Sequence, residues 1–442
     1  MSKKKNYELL NQTNMKTSRY AWIMMLFLFF LAFINNLDKA VIGIASVPIM
    51  KELHLNPTEW GLVGSSFYWL YAISAIVVGG MADTHSSKKL IIWLSIIWAS
   101  VQFLTLVIIG LPSLIFTRIV LGAGEGPASA VAAAVIGKWL PKEKYAIGFA
   151  FIFLGTLLGP AIGSPILLSL MKTHGWRSAF LATGILGFVL LVIWVIFAKE
   201  SPKELGLASP SQSETQSKNT PSIGWRQFFK IIATKNFILI ILTGMASYWL
   251  IALNLIWFPN FYENVKHFEG SRLKLAVSLP FLITAVLQFI IASLSDRSYR
   301  KTKNIRKSRI AYVSILMFLS AIGLFLATIV KSSLLAMILL SISPGLCTVS
   351  LVLLPVILFE TVSDKNIGKA QGVFTSLSTI ASIIAPLVFG AIIQKSSSQV
   401  VGFNHGFQIT ALLILIIGIL FWFGVRPESN KIVSNQSSNK TF

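Results

Sequence analysis

The sequence predicts an all-α membrane protein of twelve transmembrane helices arranged as two six-helix bundles. Three observations carry that prediction. The 442 residues are 55% hydrophobic and only 12% charged, apolar runs near or above 20 residues recur from end to end, and the longest polar interruption splits those runs six and six. Twelve spans are read at about 20–50, 60–82, 89–109, 112–138, 145–171, 178–198, 236–262, 273–295, 309–330, 333–360, 367–394 and 405–425. The resulting divisions are an N-terminal tail at 1–19, a first bundle at 20–198, a linker at 199–235, a second bundle at 236–425 and a C-terminal tail at 426–442.

The first span follows a polar, basic stretch with no small-residue cleavage site before Trp22, so it reads as a retained helix and not a removable signal. Net charge is +22, yet its distribution argues against a nucleic-acid partner. Of the 38 Lys and Arg, 28 lie in the two tails and in the loops that follow even-numbered spans, and only 8 lie in the alternate loops. That asymmetry is the positive-inside pattern: it expects a multi-pass protein of the inner membrane with both termini cytoplasmic, its excess charge able to touch anionic lipid. The stretch Ser209 to Ser222, rich in Ser, Gln, Asn and Thr, reads as a mobile linker.

Four ionisable residues sit inside otherwise apolar spans: Asp38 and Lys39 in the first, Arg118 and Glu125 in the fourth. Each costs at least ~2.5–3.5 kcal/mol at bilayer depth, so such residues persist where they line a polar cavity or a proton path. Asp38 and Lys39 are neighbours that project about 100° apart on a helix, so each must seek a partner elsewhere. Arg118 and Glu125 are nearly two turns apart on one face, about 10 Å along the axis. Two cations and two carboxylates make a formally neutral set. It gains positive charge when a carboxylate takes a proton, which suits coupling protons to an anionic solute. The bland alternative, that the four only tie spans 1 and 4 together, conflicts with the poor return of desolvated charges compared with apolar packing.

Span 5 carries Gly155-Thr-Leu-Leu-Gly159-Pro160-Ala-Ile-Gly163, which reads equally as close packing or as a bendable gate. Phe67, Trp69 and Tyr71 in span 2 and Trp257 with Phe258-Pro259 in span 7 are cavity-lining, core or lipid-facing candidates. The second half has no ionisable residue at mid-span; its polar side chains are neutral, with a cluster of Ser and Thr in span 11 that includes Thr375 and Thr379. Corresponding loops repeat an acidic residue followed by basic ones, Asp83 with Lys88 and Lys89 after span 2, and Asp296 with Arg297 after span 8. They are expected to act as gating latches. The five histidines are placed in loops or at span ends without ligand spacing, and Cys347 is the lone cysteine, so neither a metal nor another cofactor is expected. No phosphate loop or nucleophile motif is present, which argues against an enzyme or an ATP-driven pump.

Five segments stand out together: Asn35-Asn-Leu-Asp38-Lys39, Trp60-Gly-Leu-Val-Gly-Ser-Ser-Phe67-Tyr-Trp69-Leu-Tyr71, Arg118-Ile-Val-Leu-Gly122-Ala-Gly124-Glu125-Gly-Pro127, Gly175-Trp176-Arg177-Ser-Ala-Phe180 and Trp257-Phe-Pro259. With them the chain resembles the major facilitator superfamily and, within it, the anion:cation symporter family of sugar-acid and other organic-anion transporters. The resemblance covers almost the whole chain. It implies the major facilitator fold and a monomer importing a small organic anion with protons by alternating access. Asp38 and Glu125 would be the proton sites, Lys39 and Arg118 would face the substrate carboxylate, and Tyr71 would lie beside it. Lys39 stands where the family has Arg, exchanging a bidentate fork for a point charge. Asn36 stands for a usual Tyr, and Thr375 and Thr379 for usual asparagines, so the sugar-acid preference of the family does not carry over directly. Proton-driven export and a non-transporting sensor on the same scaffold are the rival readings.

Overall fold

The computed structural model describes residues 2–82, 84–141, 144–206, 232–361 and 367–426. Twelve helices among them are long and apolar enough to cross a membrane. In chain order they are α1 (Arg19–Ile44), α2 (Pro57–Met81), α3 (Ser87–Val107), α4 (Leu111–Trp139), α5 (Ile147–His174) and α6 (Arg177–Phe197). The remaining six are α7 (Lys235–Ile256), α8 (Gly270–Thr302), α9 (Arg306–Ile329), α10 (Ser333–Phe359), α11 (Ala370–Lys395) and α12 (Gln399–Gly424). Helices are what apolar runs become where no water can satisfy the backbone. No strand occurs among the described residues.

Local chemistry sets the helix ends. Ser86, Thr234, Ser332 and Ser398 each accept a backbone N–H of the helix that follows, capping α3, α7, α10 and α12. The cap at Ser398 starts α12 at Gln399, six residues before the sequence reading placed it. His405 consequently lies within a helix, not at its end. At α7 the reverse happens: the regular helix stops at Ile256, and Phe258–Asn260 and a π-turn over Phe261–Val265 follow. Pro259 has no N–H to continue the ladder.

Contacts divide the chain into two compact units, Met1–Val41 with Ser66–Asn219, and Ile42–Ser65 with Thr220–Phe442. The connection between α1 and α2 groups with the second unit. Small residues explain the grouping. A Cβ at Gly43 would fall 1.7 Å from the Leu255 carbonyl oxygen and one at Gly61 2.4 Å from that of Pro386, so backbone meets backbone there. Trp60 Nε1 also donates to the Ile256 carbonyl at 3.4 Å.

Within the first unit, α1 lies against α5 in the same manner. Gly155, Gly159 and Gly163 face Phe29, Phe33 and Leu37 at four-residue intervals, each with no room for a Cβ. α5 runs unbroken through Pro160 and Pro165, so the glycine row is a packing seam. α4 uses Gly122 and Gly126 against the Phe67 and Tyr71 carbonyls of α2. The core of the second unit is aromatic, with Trp257, Phe258, Phe261, Phe389, Phe403 and Phe407 in ring contact. Trp257 is 1% exposed and donates to the Pro386 carbonyl, which makes it a core residue.

Candidate functional site

Asp38, Arg118 and Glu125 are each 1% exposed, and all four membrane-embedded charges lie in the first unit. Their placement follows from the two glycine seams. The α1–α5 seam ends at Leu37, one residue before Asp38, and the α4–α2 seam brackets Glu125 between Gly122 and Gly126. At Gly126 and Pro127 the regular helix is interrupted before resuming at Ala128, leaving Glu125 as the last residue of its helical segment.

Two sub-sites result, one for each direction in which the adjacent Asp38 and Lys39 project. On one side Lys39 Nζ donates to Asn35 Oδ1 at 2.7 Å and lies 3.7 Å from Glu125 Oε2. The same ammonium stands 5.2 Å from the Tyr71 ring centre and 6.0 Å from that of Phe67, within cation–π range. The sequence-predicted Lys39, Glu125 and Tyr71 are thus brought together. On the other side Asp38 is surrounded by Thr183, Arg118 and Gln102, and the Arg118 guanidinium lies 5.5 Å from the Phe180 ring centre.

Bonding in this cluster is incomplete. Arg118 Nε and Nη2, Asp38 Oδ1, both Glu125 oxygens, Asn35 Nδ2 and both polar atoms of the Gln102 amide are buried without a hydrogen-bond partner. Glu125 has Lys39 as an ionic partner, but no carboxylate among the described residues lies within 4.0 Å of Arg118. Arg118 thus has no ion-pair partner among the described residues, while Glu125 pairs with Lys39. A guanidinium with two undirected donors is chemically ready to grip an oxyanion. Sequence reasoning missed Asn35, Gln102, Phe180 and Thr183 as members of this cluster. Gln102 could have been found as the lone amide of α3; Thr183 carried no distinguishing signal.

Thr375 is exposed and accepts from Gln371 at 3.3 Å, while Thr379 is buried and donates to the Thr375 carbonyl at 2.7 Å. Neighbouring hydroxyls hold helices together: Ser378 and Ser382 donate to the Ile241 and Tyr248 carbonyls of α7.

Of the expected latch residues, Asp83 lies outside the described residues. Lys88 and Lys89 contribute backbone N–H groups at the start of α3, to Glu200 and Ser86 respectively. Glu200, which the sequence reading passed over, accepts from Ser86 Oγ at 2.5 Å, from the Ser87 and Lys88 N–H groups and from Lys138 Nζ. Burial pulls its carboxyl upward, but Lys138 and these hydrogen bonds outweigh burial and hold it below the usual carboxylate range. Asp296 pairs with Arg309 at 2.5 Å, a residue thirteen positions on, instead of with the adjacent Arg297. Arg309 also donates to Ser295 Oγ at 2.7 Å.

A twelve-span helical chain with buried charges gathered in one unit has the layout of a polytopic membrane carrier. The family model of the Major Facilitator Superfamily matches residues 28–343 and 270–441, and the chain belongs to that superfamily, whose members are transporters and not enzymes. A probable sulfoacetate transporter of Cupriavidus necator is 28% identical over 425 residues, covering 93% of this chain and 94% of its own. The hexuronate transporter of Bacillus subtilis is 25% identical over 419 residues, covering 94% and 97%. In three dimensions the chain is similar to a bacterial homologue of the human lysosomal transporter Spinster, with a TM-score of 0.75 at 17% identity over 92% of this chain and 97% of that one. The protein is a multi-pass membrane transporter with a major facilitator fold.

Proposed function

We propose that this protein is a proton symporter that imports a small carboxylate- or sulfonate-bearing solute by alternating access. One observation carries the reading: Arg118 is buried with two unpartnered guanidinium nitrogens, Nε and Nη2, beside two buried carboxylates that keep unpartnered oxygens of their own. Arg118 and Lys39 bind the substrate anion, and Asp38 and Glu125 exchange the protons. Each proton taken up leaves one unit of positive charge uncompensated in a site that is otherwise neutral. Anion affinity rises with that charge, which is the coupling a symporter needs. Lys39 is released from Glu125 when the carboxyl is protonated and turns toward the anion, with Tyr71 packed against its ammonium. Thr375 and Thr379 read the substrate's hydroxyls or carbon skeleton. Asp83, Lys88, Lys89, Asp296 and Arg297 act in gating at the cytoplasmic face, in an inner-membrane monomer with both termini cytoplasmic.

The relatives named for sulfoacetate and hexuronate transport support an organic anion as the solute. The test is a binding screen on the purified protein with hexuronates, sulfoacetate, aromatic acids and amino acids. Arg118→Ala is expected to weaken binding of the selected anion by roughly 100-fold, with Arg118→Lys intermediate because it keeps charge without the planar fork. Undiminished affinity in Arg118→Ala would refute the assignment.

A further inference from the structure

In the second unit, α9 and α12 leave a long apolar groove between them. Two cavities of about 510 and 330 Å³ lie along it and share Phe318 and Leu415 as lining residues. The groove follows α9 from Ser314 to Leu326, about 18 Å at 1.5 Å per residue. That is close to one leaflet's share of a hydrocarbon core about 30 Å thick.

One end of the groove carries a cation set against an indole. There the Arg306 guanidinium lies 5.6 Å from the Trp422 ring centre, Trp422 lines the smaller cavity, and Lys307 follows as an exposed cation. Arg306 and Lys307 are the first residues of α9, in a stretch where seven Lys and Arg lie from Arg297 to Arg309 across the α8–α9 corner. About two helical turns further along α9, Ser314 lines the same cavity, is 8% exposed, and its hydroxyl has no hydrogen-bond partner in the protein. Cation on an indole, then an unpaired hydroxyl, then an apolar channel is the sequence of chemistries along an anionic glycerophospholipid. The phosphate meets Arg306 and Lys307, an ester oxygen accepts from Ser314, and an acyl chain follows Phe318 toward Leu326.

We propose that the α9–α12 groove is a binding site for an anionic phospholipid. Lipid that merely coats the helices would show no headgroup preference, which separates the two cases. The experiment is native mass spectrometry of the detergent-solubilised full chain with phosphatidylglycerol or phosphatidylcholine of identical acyl chains. Wild-type protein is expected to retain phosphatidylglycerol roughly tenfold more tightly or better. Replacing Arg306 and Lys307 together by Gln should remove that preference, and both side chains are exposed, so folding is not at stake. Leu415→Trp, which fills the groove, should weaken both lipids. Equal retention of the two lipids by the wild type, or a preference that survives the double Gln variant, overturns the proposal. So does a Leu415→Trp protein that folds and binds both lipids as before.

Discussion

Lys39 and Glu125 form a buried ion pair in which the carboxylate oxygens lack hydrogen bonds. Such a pair is weak support for stability but expensive to break, because the survivor is left as an uncompensated charge. Lys39→Ala is therefore expected to destabilise the protein by about 3 kcal/mol, and Lys39→Ala with Glu125→Gln to recover most of that loss. Thermal unfolding of the four proteins in a double-mutant cycle measures it; additive effects would show that the two do not interact. A second titratable group, Glu263 on the π-turn after α7, is pushed up to about 7 by burial and then by the charge of Glu269. In the unfolded chain a glutamate titrates near ~4.3, so between those values the folded protein holds the extra proton. Its contribution to stability is complete below ~4.3 and lost as pH rises through about 7. Glu263→Gln should accordingly melt higher than wild type at pH 8 and no differently at pH 4; a wild-type melting profile unchanged by the substitution would contradict this. The four embedded charges were legible in the sequence, because an ionised side chain in an apolar run must face a polar interior. Gln102 and Thr183 were much less so: a neutral polar residue in a span is usually satisfied locally. Their meeting with Asp38 depends on how α3 and α6 pack.

The helices were read well in number and less well at their ends. Apolar length announces a span, but its termini obey caps and prolines: Ser398 starts α12 early, and Pro259 ends regular α7 before the apolar run stops. The glycine row of α5 could not be assigned between packing and bending from sequence alone. The structure shows contact at each member, with the Phe33 carbonyl oxygen 2.2 Å from a Cβ built at Gly159. Gly159→Leu is expected to force α5 off α1 and abolish a monodisperse folded protein. Gly80→Ala, where nothing lies within 4 Å of the new Cβ, should be neutral or stabilising by up to ~1 kcal/mol. Size-exclusion profiles and melting temperatures of the two variants decide it. A well-folded Gly159→Leu protein would mean that α1 and α5 are not held in this register. Through that seam the element governs the site, since Asp38 follows directly on the last residue of the contact.

The four charges at mid-span, Asp38, Lys39, Arg118 and Glu125, all lie in the first unit, while the second offers buried neutral hydroxyls, of which Ser247, Ser378 and Ser382 tie helices together. Membership of the major facilitator superfamily was legible from local motifs in spans 1, 2 and 4, because they consist of the charges and small residues that build the site. The partners of the residues expected to act as latches were not legible. The repeated acid-then-base pattern located the two loops, but Asp296 found Arg309 in place of its neighbour, and Glu200 emerged as a hub that no local pattern announced. Those partners are set by where helices converge, not by spacing along the chain. In the proposed function the carboxylates of the first unit handle protons for an anion held by Arg118. Proton uptake by protein reconstituted in proteoliposomes, recorded with a pH-sensitive dye on adding D-glucuronate or sulfoacetate, tests it most directly. The expected result is internal acidification that accompanies substrate entry in the wild type and is lost in Asp38→Asn or Glu125→Gln. Substrate-driven acidification that persists undiminished in both variants would contradict it.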